Sequence, residues 1–249
     1  MKKIQNVYDD KNFFSAYKEM RDSKLNANEL IEIPIMKEML PDLKDKKILD
    51  LGCGDGCMSR FFVEKGAKQV VGVDISQNMI NEAMKYEHKN IKYFVLPMEE
   101  LDKLKGKYDI VCSSLAFHYV EDFEKLMKDI SNKLKNNGYL VFSQEHPVAT
   151  AYIVPKDGTK HIDIDGKRYY LVSDYNNNGK RVLDWNKKGV VKYHRNFETI
   201  ISDLINAGFS IQQLREARPS KEAIKLVPKY VYQNDRPYFL FIKAKKNKR

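Results

Sequence analysis

Short apolar segments alternate with amphipathic segments along most of the chain. Seven segments are short and rich in Val, Ile, Tyr or Phe, which is typical of β-strands. They cover residues 46–51, 69–75, 91–96, 108–115, 138–144, 209–216 and 238–245. Segments with apolar residues at a spacing of three and four lie between them and predict helices over residues 58–66, 76–86, 122–135 and 196–208. This alternation predicts an α/β fold with a doubly wound, mainly parallel, seven-stranded sheet of Rossmann-like topology, covered by helices on both faces.

Two segments interrupt the alternation. Residues 1–43 look helical, with an apolar face that starts at Phe13, and residues 147–192 are rich in aromatic and turn-forming residues. Both are expected over the carboxyl ends of the strands, where ligands bind in such sheets. We therefore predict one domain over residues 1–249: an N-terminal helical lid (1–43), a cofactor-binding core (44–146), a substrate cap inserted after the fifth strand (147–192) and the C-terminal part of the sheet (193–249).

Composition narrows the class of protein. A chain of 249 residues, 43% of them hydrophobic, is long enough to bury a sizeable core. It has no apolar run of the length that a membrane span or a secretory signal needs, so a cytoplasmic protein without a membrane partner is expected. The three cysteines, Cys53, Cys57 and Cys112, form an odd set without a second Cys or His pair at zinc spacing. Neither a disulfide framework nor a metal site is expected.

The net charge of +10 raises the question of nucleic-acid binding. Five Lys or Arg residues lie within the last seven residues, so half of the excess charge is on one terminus. No basic and aromatic platform accompanies them, and a solvated terminus is the favoured interpretation. A nucleic-acid partner is not expected, and the sequence does not indicate an oligomeric state.

The most informative stretch is ILDLGCGDGCMSR, residues 48–60. Three glycines at alternate positions give a turn between the first strand and the first helix, where a ligand can approach the backbone closely. The dinucleotide fingerprint places its third glycine where this chain has Cys57. Asp50 also disfavours a diphosphate, whereas a cationic cofactor such as S-adenosylmethionine suits it. Asp74, at the end of the second strand, is placed to accept hydrogen bonds from a ribose diol.

These residues resemble the class I S-adenosylmethionine-dependent methyltransferases, of the type 11 small-molecule group. The similarity spans nearly the whole chain and rests on ILDLGCGDG, VVGVDIS, CSSLAFHYVEDF, FSQEHP and VVKYHRNFETIISDLINAGF. It implies that Asp50, Gly52 and Gly54 hold the methionine part of the cofactor and that Asp74 holds the ribose. The other cofactor residues implied are Tyr17 and Arg21 in the lid, Cys53 in the turn, Ile75, Met79, Met98 and Glu99 around the adenine, and Ser113, Leu115 and His118 at the reactive end.

Two of these assignments carry an alternative. Many relatives have an Asp-Ala pair after the third strand, and this chain has Pro97-Met98 followed by Glu99. Glu99 is therefore either the acceptor for the adenine amine or a solvated carboxylate at a helix start. For the lid, an apolar face one turn from Arg21 implies closure over the methionine carboxylate or, alternatively, packing alone.

Candidates for the acceptor site follow the strand ends and the cap. His146, His118 and His194 are candidate general bases, and His146 is the first choice if Glu145 points away from the cap. A structural role is the alternative for each histidine. Arg195 pairs either with a substrate carboxylate or with Glu145 or Asp174. The aromatic insertion is either a substrate lid or a satellite core. The expected substrate residues are His146, Tyr175, Arg181, Trp185, Tyr193 and Arg195.

The sequence thus predicts methyl transfer from S-adenosylmethionine to a small molecule, with S-adenosylhomocysteine as product. Two rivals remain open, an RNA methyltransferase and a cofactor-binding protein without catalysis. The first is disfavoured because Ser113 to Phe117 replace the Asn/Asp-Pro-Pro-aromatic stretch of amino-methylating nucleic-acid enzymes. Cys112 lies inside a predicted strand, so a nucleophilic role for it is also disfavoured.

Overall fold

A twisted sheet of seven strands forms the centre of the protein, whose computed structural model describes residues 4–151, 159–185 and 188–248. The strands, in chain order, are β1 (Lys47–Leu51), β2 (Gln69–Asp74), β3 (Ile91–Val95), β4 (Tyr108–Ser113), β5 (Leu134–Glu145), β6 (His161–Ile164), β7 (Lys167–Tyr170), β8 (Gly179–Trp185), β9 (Lys188–His194), β10 (Phe209–Glu216) and β11 (Phe239–Lys246). The α-helices are α1 (Lys11–Asp22), α2 (Ile33–Met39), α3 (Cys57–Glu64), α4 (Gln77–Met84), α5 (Phe123–Lys133), α6 (Pro147–Thr150), α7 (Phe197–Asn206) and α8 (Lys221–Leu226).

The order of the strands in the sheet is β10-β11-β5-β4-β1-β2-β3. Neighbours from β5 to β3 run parallel, and β11 runs antiparallel between β5 and β10. The predicted fold, a mainly parallel seven-stranded sheet of the Rossmann-like type, is confirmed. The carboxyl ends of the parallel strands β1, β2, β4 and β5 therefore meet along one edge of the sheet, where the glycine turn also lies.

The central strands of the sheet, β1, β2 and β4, are buried on both faces, as their near-continuous apolar sequences predict. One core cluster packs α5 and α7 against one face, and a second packs α2 and α3 against the other. Three helices, α4, α5 and α7, begin at a capping side chain: Ser76, Asp122 and Asn196 accept hydrogen bonds from the backbone N–H three residues on. Local capping and buried apolar faces thus fix the helices that cover the core.

The basic C-terminal run is part of the sheet. Lys243, Lys245 and Lys246 belong to β11, and the ammonium groups of Lys243 and Lys245 lie 5.4 Å and 5.8 Å from the ring centroid of Tyr139. The Lys246 ammonium bonds the carbonyl oxygens of Ser131 and Leu134. The strand predicted over residues 238–245 already included Lys243 and Lys245, and all three lysines are half-buried, so their stems pack along the sheet.

Two outer segments cross the carboxyl-terminal edge of the sheet. The N-terminal segment contains α1, a π-helical turn (Asn28–Glu32) and α2. The segment after β5 forms two hairpins, β6–β7 and β8–β9. Gln5 joins the two segments: its amide donates to the carbonyl of Val191 at 3.2 Å and accepts from the Val191 N–H at 2.8 Å. Asp9 accepts from the Ser76 hydroxyl at 2.6 Å, which holds the N-terminal segment against α4.

Candidate active site at the strand ends

The glycine turn after β1 has a backbone conformation that is energetically unfavourable for residues other than glycine. Gly52 and Gly54 have φ of +67° and +54°, in the left-handed region. A Cβ on Gly52 would lie 2.5 Å from the Cβ of Ala116, whereas one on Gly54 would meet nothing within 4 Å. The turn is tied to β2 because the N–H groups of Gly52 and Cys53 both donate to the carbonyl of Val73. The turn therefore presents open backbone beside Gly54.

Asp74 holds the same turn from the end of β2. Its carboxylate accepts from the N–H of Gly54 at 2.9 Å and from the N–H of Ser76 at 2.9 Å. Burial raises its pKa, and the backbone hydrogen bonds to Ser76 and Gly54 oppose that rise. Asp74 therefore sets the geometry of the turn as well as offering an acceptor to a ligand.

A cavity of about 1240 Å³ opens above the turn. The structure places most of the predicted cofactor residues on its wall. Those residues are Tyr17, Arg21, Asp50, Gly52, Cys53, Gly54, Asp74, Ile75, Met79, Met98, Glu99, Leu115 and His118. Since ligand cavities usually measure about 300–1000 Å³, this one has room for a nucleoside cofactor together with a small second molecule.

Ser113 is the predicted cofactor residue that does not lie on the cavity wall. Its side chain is fully buried, and its hydroxyl donates to the carbonyl of Leu51 at 2.8 Å. Its neighbour Ser114 is on the wall instead. The assignment of Ser113 is therefore corrected to Ser114, because successive residues at a strand end point in opposite directions.

Buried acidic groups surround the turn. Asp50 is 1% exposed, accepts from the Ser59 hydroxyl at 2.6 Å, and has its pKa raised to about 7 by burial. Burial raises the pKa of Asp74 and of Glu99 as well. Carboxyl groups held in this way favour a cationic ligand, because a nearby positive charge would offset their desolvation.

Arg21 faces this acidic region from α1. One of its terminal nitrogens, Nη2, lies 3.2 Å from a carboxylate oxygen of Glu29. The other, Nη1, is buried and has no hydrogen-bond partner among the residues that the structure describes. A guanidinium nitrogen that is buried and unsatisfied is costly unless a ligand bonds it. A carboxylate-bearing ligand such as an amino acid group fits this position, with open backbone at Gly54 and acceptors at Asp50 and Asp74 nearby.

The loop after β4 is held by a carboxylate that the sequence did not indicate. Leu115 has φ of +49°, and its N–H donates to the hydroxyl and the carbonyl oxygens of Ser143. Glu32, fully buried in the π-helical turn, accepts from the hydroxyls of Ser114 and Ser143. Burial raises the pKa of Glu32 to about 7. The N-terminal segment thus positions the loop that walls the cavity, and only the three-dimensional contact reveals it.

The sequence matches the family model described as a methyltransferase domain over residues 25–213. A methyltransferase structure from Mesorhizobium loti, described as S-adenosylmethionine-dependent, superposes with a TM-score of 0.79 at 34% identity, over 89% of this chain and 98% of that one. The chain belongs to the class I S-adenosylmethionine-dependent methyltransferases.

Two further relatives of this methyltransferase carry different functional descriptions. A Haemophilus influenzae protein described only as uncharacterised is 39% identical over 96% of each chain. The ubiquinone biosynthesis O-methyltransferase of Acinetobacter baylyi is 30% identical over 48% of this chain and 52% of that one. The chain spans about half the length of the latter relative. In the part of the chain that the structure describes, no group of three or more metal-ligating residues occurs and no helix is long and apolar enough to cross a membrane.

His146 lies outside the cavity of the methyltransferase. Its side chain is 2% exposed, its Nε2 bonds a carboxylate oxygen of Glu216 at 2.9 Å, and its Nδ1 accepts from the Val148 N–H at the start of α6. Glu145 lines the cavity instead. His146 was the first choice if Glu145 points away from the cap. This condition was wrong, because Glu145 faces the cavity and the next residue, His146, points elsewhere.

His194 is also a structural residue. Its Nδ1 lies 2.8 Å from the Thr150 hydroxyl and its Nε2 lies 2.9 Å from the carbonyl of Tyr175, so both ring nitrogens are used. The side chain is fully buried. The assignment of His194 as a candidate base is corrected accordingly, since no lone pair is left for a substrate proton.

His118 does line the cavity, but its hydrogen bonding makes it a donor. Its Nδ1 accepts from the N–H of Glu145 at 3.4 Å, so the neutral ring carries its proton on Nε2. Burial lowers its pKa to about 4. At neutral pH the ring is therefore uncharged and offers an N–H, and the expectation of a general base there is not supported by its contacts.

Arg195, a predicted substrate residue, lies outside the cavity. Arg195 donates to the carbonyls of Val120, Glu121 and Tyr193, and its guanidinium lies 5.0 Å from the ring centroid of Phe123. Arg195 thus takes neither of its two expected partnerships. Its backbone contacts fix the start of α7 against the loop before α5.

Tyr175 and Arg181 belong to the same structural cluster. The Tyr175 hydroxyl accepts from the N–H of Phe197 at 3.3 Å, and Arg181 donates to the carbonyls of Asp174 and Asn177. Neither residue, nor Tyr193, lines the cavity. The side chain of Trp185 lies outside the described part of the structure. The assignments of Tyr175, Arg181 and Tyr193 are corrected because their cluster holds the β8–β9 hairpin to α7, whereas the assignment of Trp185 stays a prediction.

The rest of the cavity wall, whose part around Glu145 and Lys192 forms the far end, carries residues that the sequence did not indicate as ligand contacts. They include Tyr8, Tyr119, Glu145, Lys160, Val182, Leu183, Lys192, Lys229, Tyr238 and Phe239. Lys192 is 7% exposed, and its ammonium bonds the carboxylate of Glu145. The pairing joins residues 47 positions apart, so local sequence pattern carries no signal for it.

Replacing His146 by alanine is expected to lower stability without weakening cofactor binding. The loss of a helix cap and of a bond to an exposed carboxylate amounts to about 1–3 kcal/mol. His146→Asn should recover part of that loss, because asparagine also caps helices. Denaturant unfolding and calorimetric titration with S-adenosylhomocysteine measure the two effects. A variant of normal stability with impaired cofactor binding would contradict this structural assignment.

Proposed function

We propose that this methyltransferase transfers the methyl group of S-adenosylmethionine to a small-molecule acceptor held at the far end of the cavity. The observation that carries the proposal is the continuous cavity of about 1240 Å³, which joins the glycine turn to Glu145 and Lys192. The N-terminal segment and the β8–β9 hairpin both contribute to its wall, through Tyr8 and Tyr17 and through Val182 and Leu183. Such walls suit a compact acceptor more than a polymer.

Different residues would bind different parts of the cofactor. Asp74 would accept hydrogen bonds from the ribose, Asp50 would lie near the positive charges, and the unsatisfied Nη1 of Arg21 would bond the amino acid carboxylate. Ile75, Met79 and Met98 would wall the adenine. When bound, the cofactor supplies a methyl group that its sulfonium has already activated. The protein therefore mainly has to align the acceptor and exclude water.

The curated relatives favour a small acceptor. The Acinetobacter baylyi relative is described as an O-methyltransferase of ubiquinone biosynthesis, and it matches about half of this chain. The basic run at the C-terminus, which first suggested RNA, is used within the sheet at Lys243, Lys245 and Lys246. Both observations support small-molecule methylation over RNA methylation.

Calorimetric titration tests the cofactor part of the proposal. We expect S-adenosylhomocysteine to bind and NAD to bind more weakly, and we expect Arg21→Met to weaken S-adenosylhomocysteine binding at least tenfold, because it removes a charge-assisted hydrogen bond. Arg215→Met is the matched control, since Arg215 also pairs with a glutamate, Glu38 at 2.6 Å, but lies on β10 outside the cavity. Tighter binding of NAD, or equal affinity of the Arg21 variant and wild type, would contradict the proposal.

A further inference from the structure

The cavity wall carries charge of both signs. Four acidic residues and one basic residue come from the glycine turn, the ends of β1 to β3 and α1, namely Asp50, Asp55, Asp74, Glu99 and Arg21. Three lysines and one acidic residue come from β5 and the segments after it, namely Lys160, Lys192, Lys229 and Glu145. The acidic part suits a cationic cofactor, so the basic part suits a second ligand of the opposite sign.

Lys192 is the innermost of these lysines. Lys160 and Lys229 are exposed at the rim, whereas Lys192 is 7% exposed, pairs with Glu145, and lies 5.9 Å from the ring centroid of Tyr119. A buried ion pair is a poor source of stability, because the desolvation of both charges offsets their attraction. A buried ammonium on a cavity wall is instead well placed to exchange its internal partner for a charged group of a ligand.

Hydrogen-bond donors dominate the rest of this end. The imidazole of His118 carries its proton on Nε2, because Nδ1 accepts from the backbone. The Tyr119 hydroxyl lies 3.3 Å from that of Tyr8, whose ring packs on Tyr17, and burial raises the pKa of both tyrosines, so they stay protonated at neutral pH. The carboxylate of Glu145 has its pKa lowered, despite burial, by the charge of Lys192. Among the described residues at this end, none is a ready base for an acceptor that must lose a proton.

We propose that the acceptor is an organic oxyanion, held by the ammonium of Lys192 and the N–H of His118, and methylated on its charged oxygen. This inference rests on the proposed function. The oxygen forms the new O–C bond with its own lone pair, and the C–S bond breaks with its electrons on sulfur. The negative charge of the oxygen and the positive charge of the sulfonium cancel, and no proton is transferred. An oxyanion therefore needs no base, which agrees with the donors that line this end.

Binding of three probes of similar size tests the inference on protein saturated with S-adenosylhomocysteine. Benzoate is anionic, benzamide is neutral and benzylamine is cationic at neutral pH. We expect benzoate to bind at least tenfold more tightly than the other two in calorimetric titrations. Lys192→Met should weaken benzoate binding about tenfold. Lys105→Met, which removes the same charge from an exposed loop outside the cavity, should leave it unchanged.

A second variant tests the exchange of partners in the opposite direction. Glu145→Gln removes the carboxylate that competes with benzoate for Lys192, so benzoate should bind several-fold more tightly. This variant tests the inference even if Lys192→Met does not fold. Preference for benzylamine or benzamide, no benzoate binding at 10 mM, or no tightening in Glu145→Gln would overturn it. If S-adenosylhomocysteine itself does not bind, the proposed function fails instead, and the two failures are thereby distinguished.

Discussion

Replacing Gly52 by alanine is expected to abolish measurable cofactor binding. The backbone φ of +67° costs an alanine about 1–2 kcal/mol, and the added Cβ would lie 2.5 Å from the Cβ of Ala116 and 3.3 Å from the Cε of Met98. Ala116 and Met98 both line the cavity. Relief of the clash has to displace the loop after β4 or Met98, and either shift would change the shape of the cavity. We expect at least a hundredfold loss of S-adenosylhomocysteine affinity by calorimetry, with a large loss of stability on denaturant unfolding.

Gly208→Ala separates backbone strain from steric clash. Gly208 has φ of +86° and follows α7, and a Cβ added to it would meet no other atom within 4 Å. Its replacement should cost stability of about 1 kcal/mol through strain alone and leave cofactor binding at the wild-type level. If the two alanine variants lost affinity and stability equally, the close approach of Ala116 would have no special role.

Replacing Asp74 by alanine is expected to weaken cofactor binding tenfold to a hundredfold. The change removes one or two charge-assisted hydrogen bonds to a ribose, worth about 1.5–3 kcal/mol each. It also leaves the N–H groups of Gly54 and Ser76 without the acceptor that now holds the turn. Both effects act on the same ligand, so the loss should exceed that of a variant that changes only one contact.

Asp109→Ala is the matched control for Asp74. Asp109 also accepts from a backbone N–H, that of Lys47 at 2.9 Å, and from the Lys135 ammonium at 2.7 Å, but it lies near the amino end of β4, at the opposite edge of the sheet. Its loss should affect stability and spare the cofactor. Wild-type affinity for S-adenosylhomocysteine in Asp74→Ala would show that the turn and the ribose do not depend on this carboxylate.

The fold and the glycine end of the cavity follow from local sequence. The strands β1, β2 and β4 are short apolar runs, and Asp50 and Asp74 lie at or near strand ends whose position the run itself determines. The turn between Gly52 and Gly56 needs residues that tolerate positive φ, so its chemistry and its conformation are encoded together. Prediction succeeds where one short segment sets both the backbone and the side chains.

The far end depends on contacts between distant segments. Successive residues of a strand point to opposite faces, so either Glu145 or His146 faces the cavity. Alternation does not decide which, because the chain leaves β5 and enters α6 at this point. Lys192 reads as an ordinary polar residue of a hairpin until β9 is seen to lie beside Glu145. Histidines near strand ends attract a catalytic interpretation, yet His194 and His146 use their nitrogens to hold the cap in place. These hydrogen-bond and ion-pair partners depend on the packing of distant segments, which a short stretch of sequence does not predict.

Methyl transfer turns the cationic cofactor into a neutral thioether, and the carboxyl groups around the glycine turn would respond to that change. In the proposed site, Asp50, Asp74 and Glu99 would face a sulfonium before the reaction and a neutral thioether afterwards. At an effective dielectric constant of about 20, one unit charge about 8 Å away is worth about 2 kcal/mol. The acidic wall would therefore hold the methylated cofactor more strongly than its product. The carboxyl groups that favour binding of the cofactor would thus also favour release of S-adenosylhomocysteine.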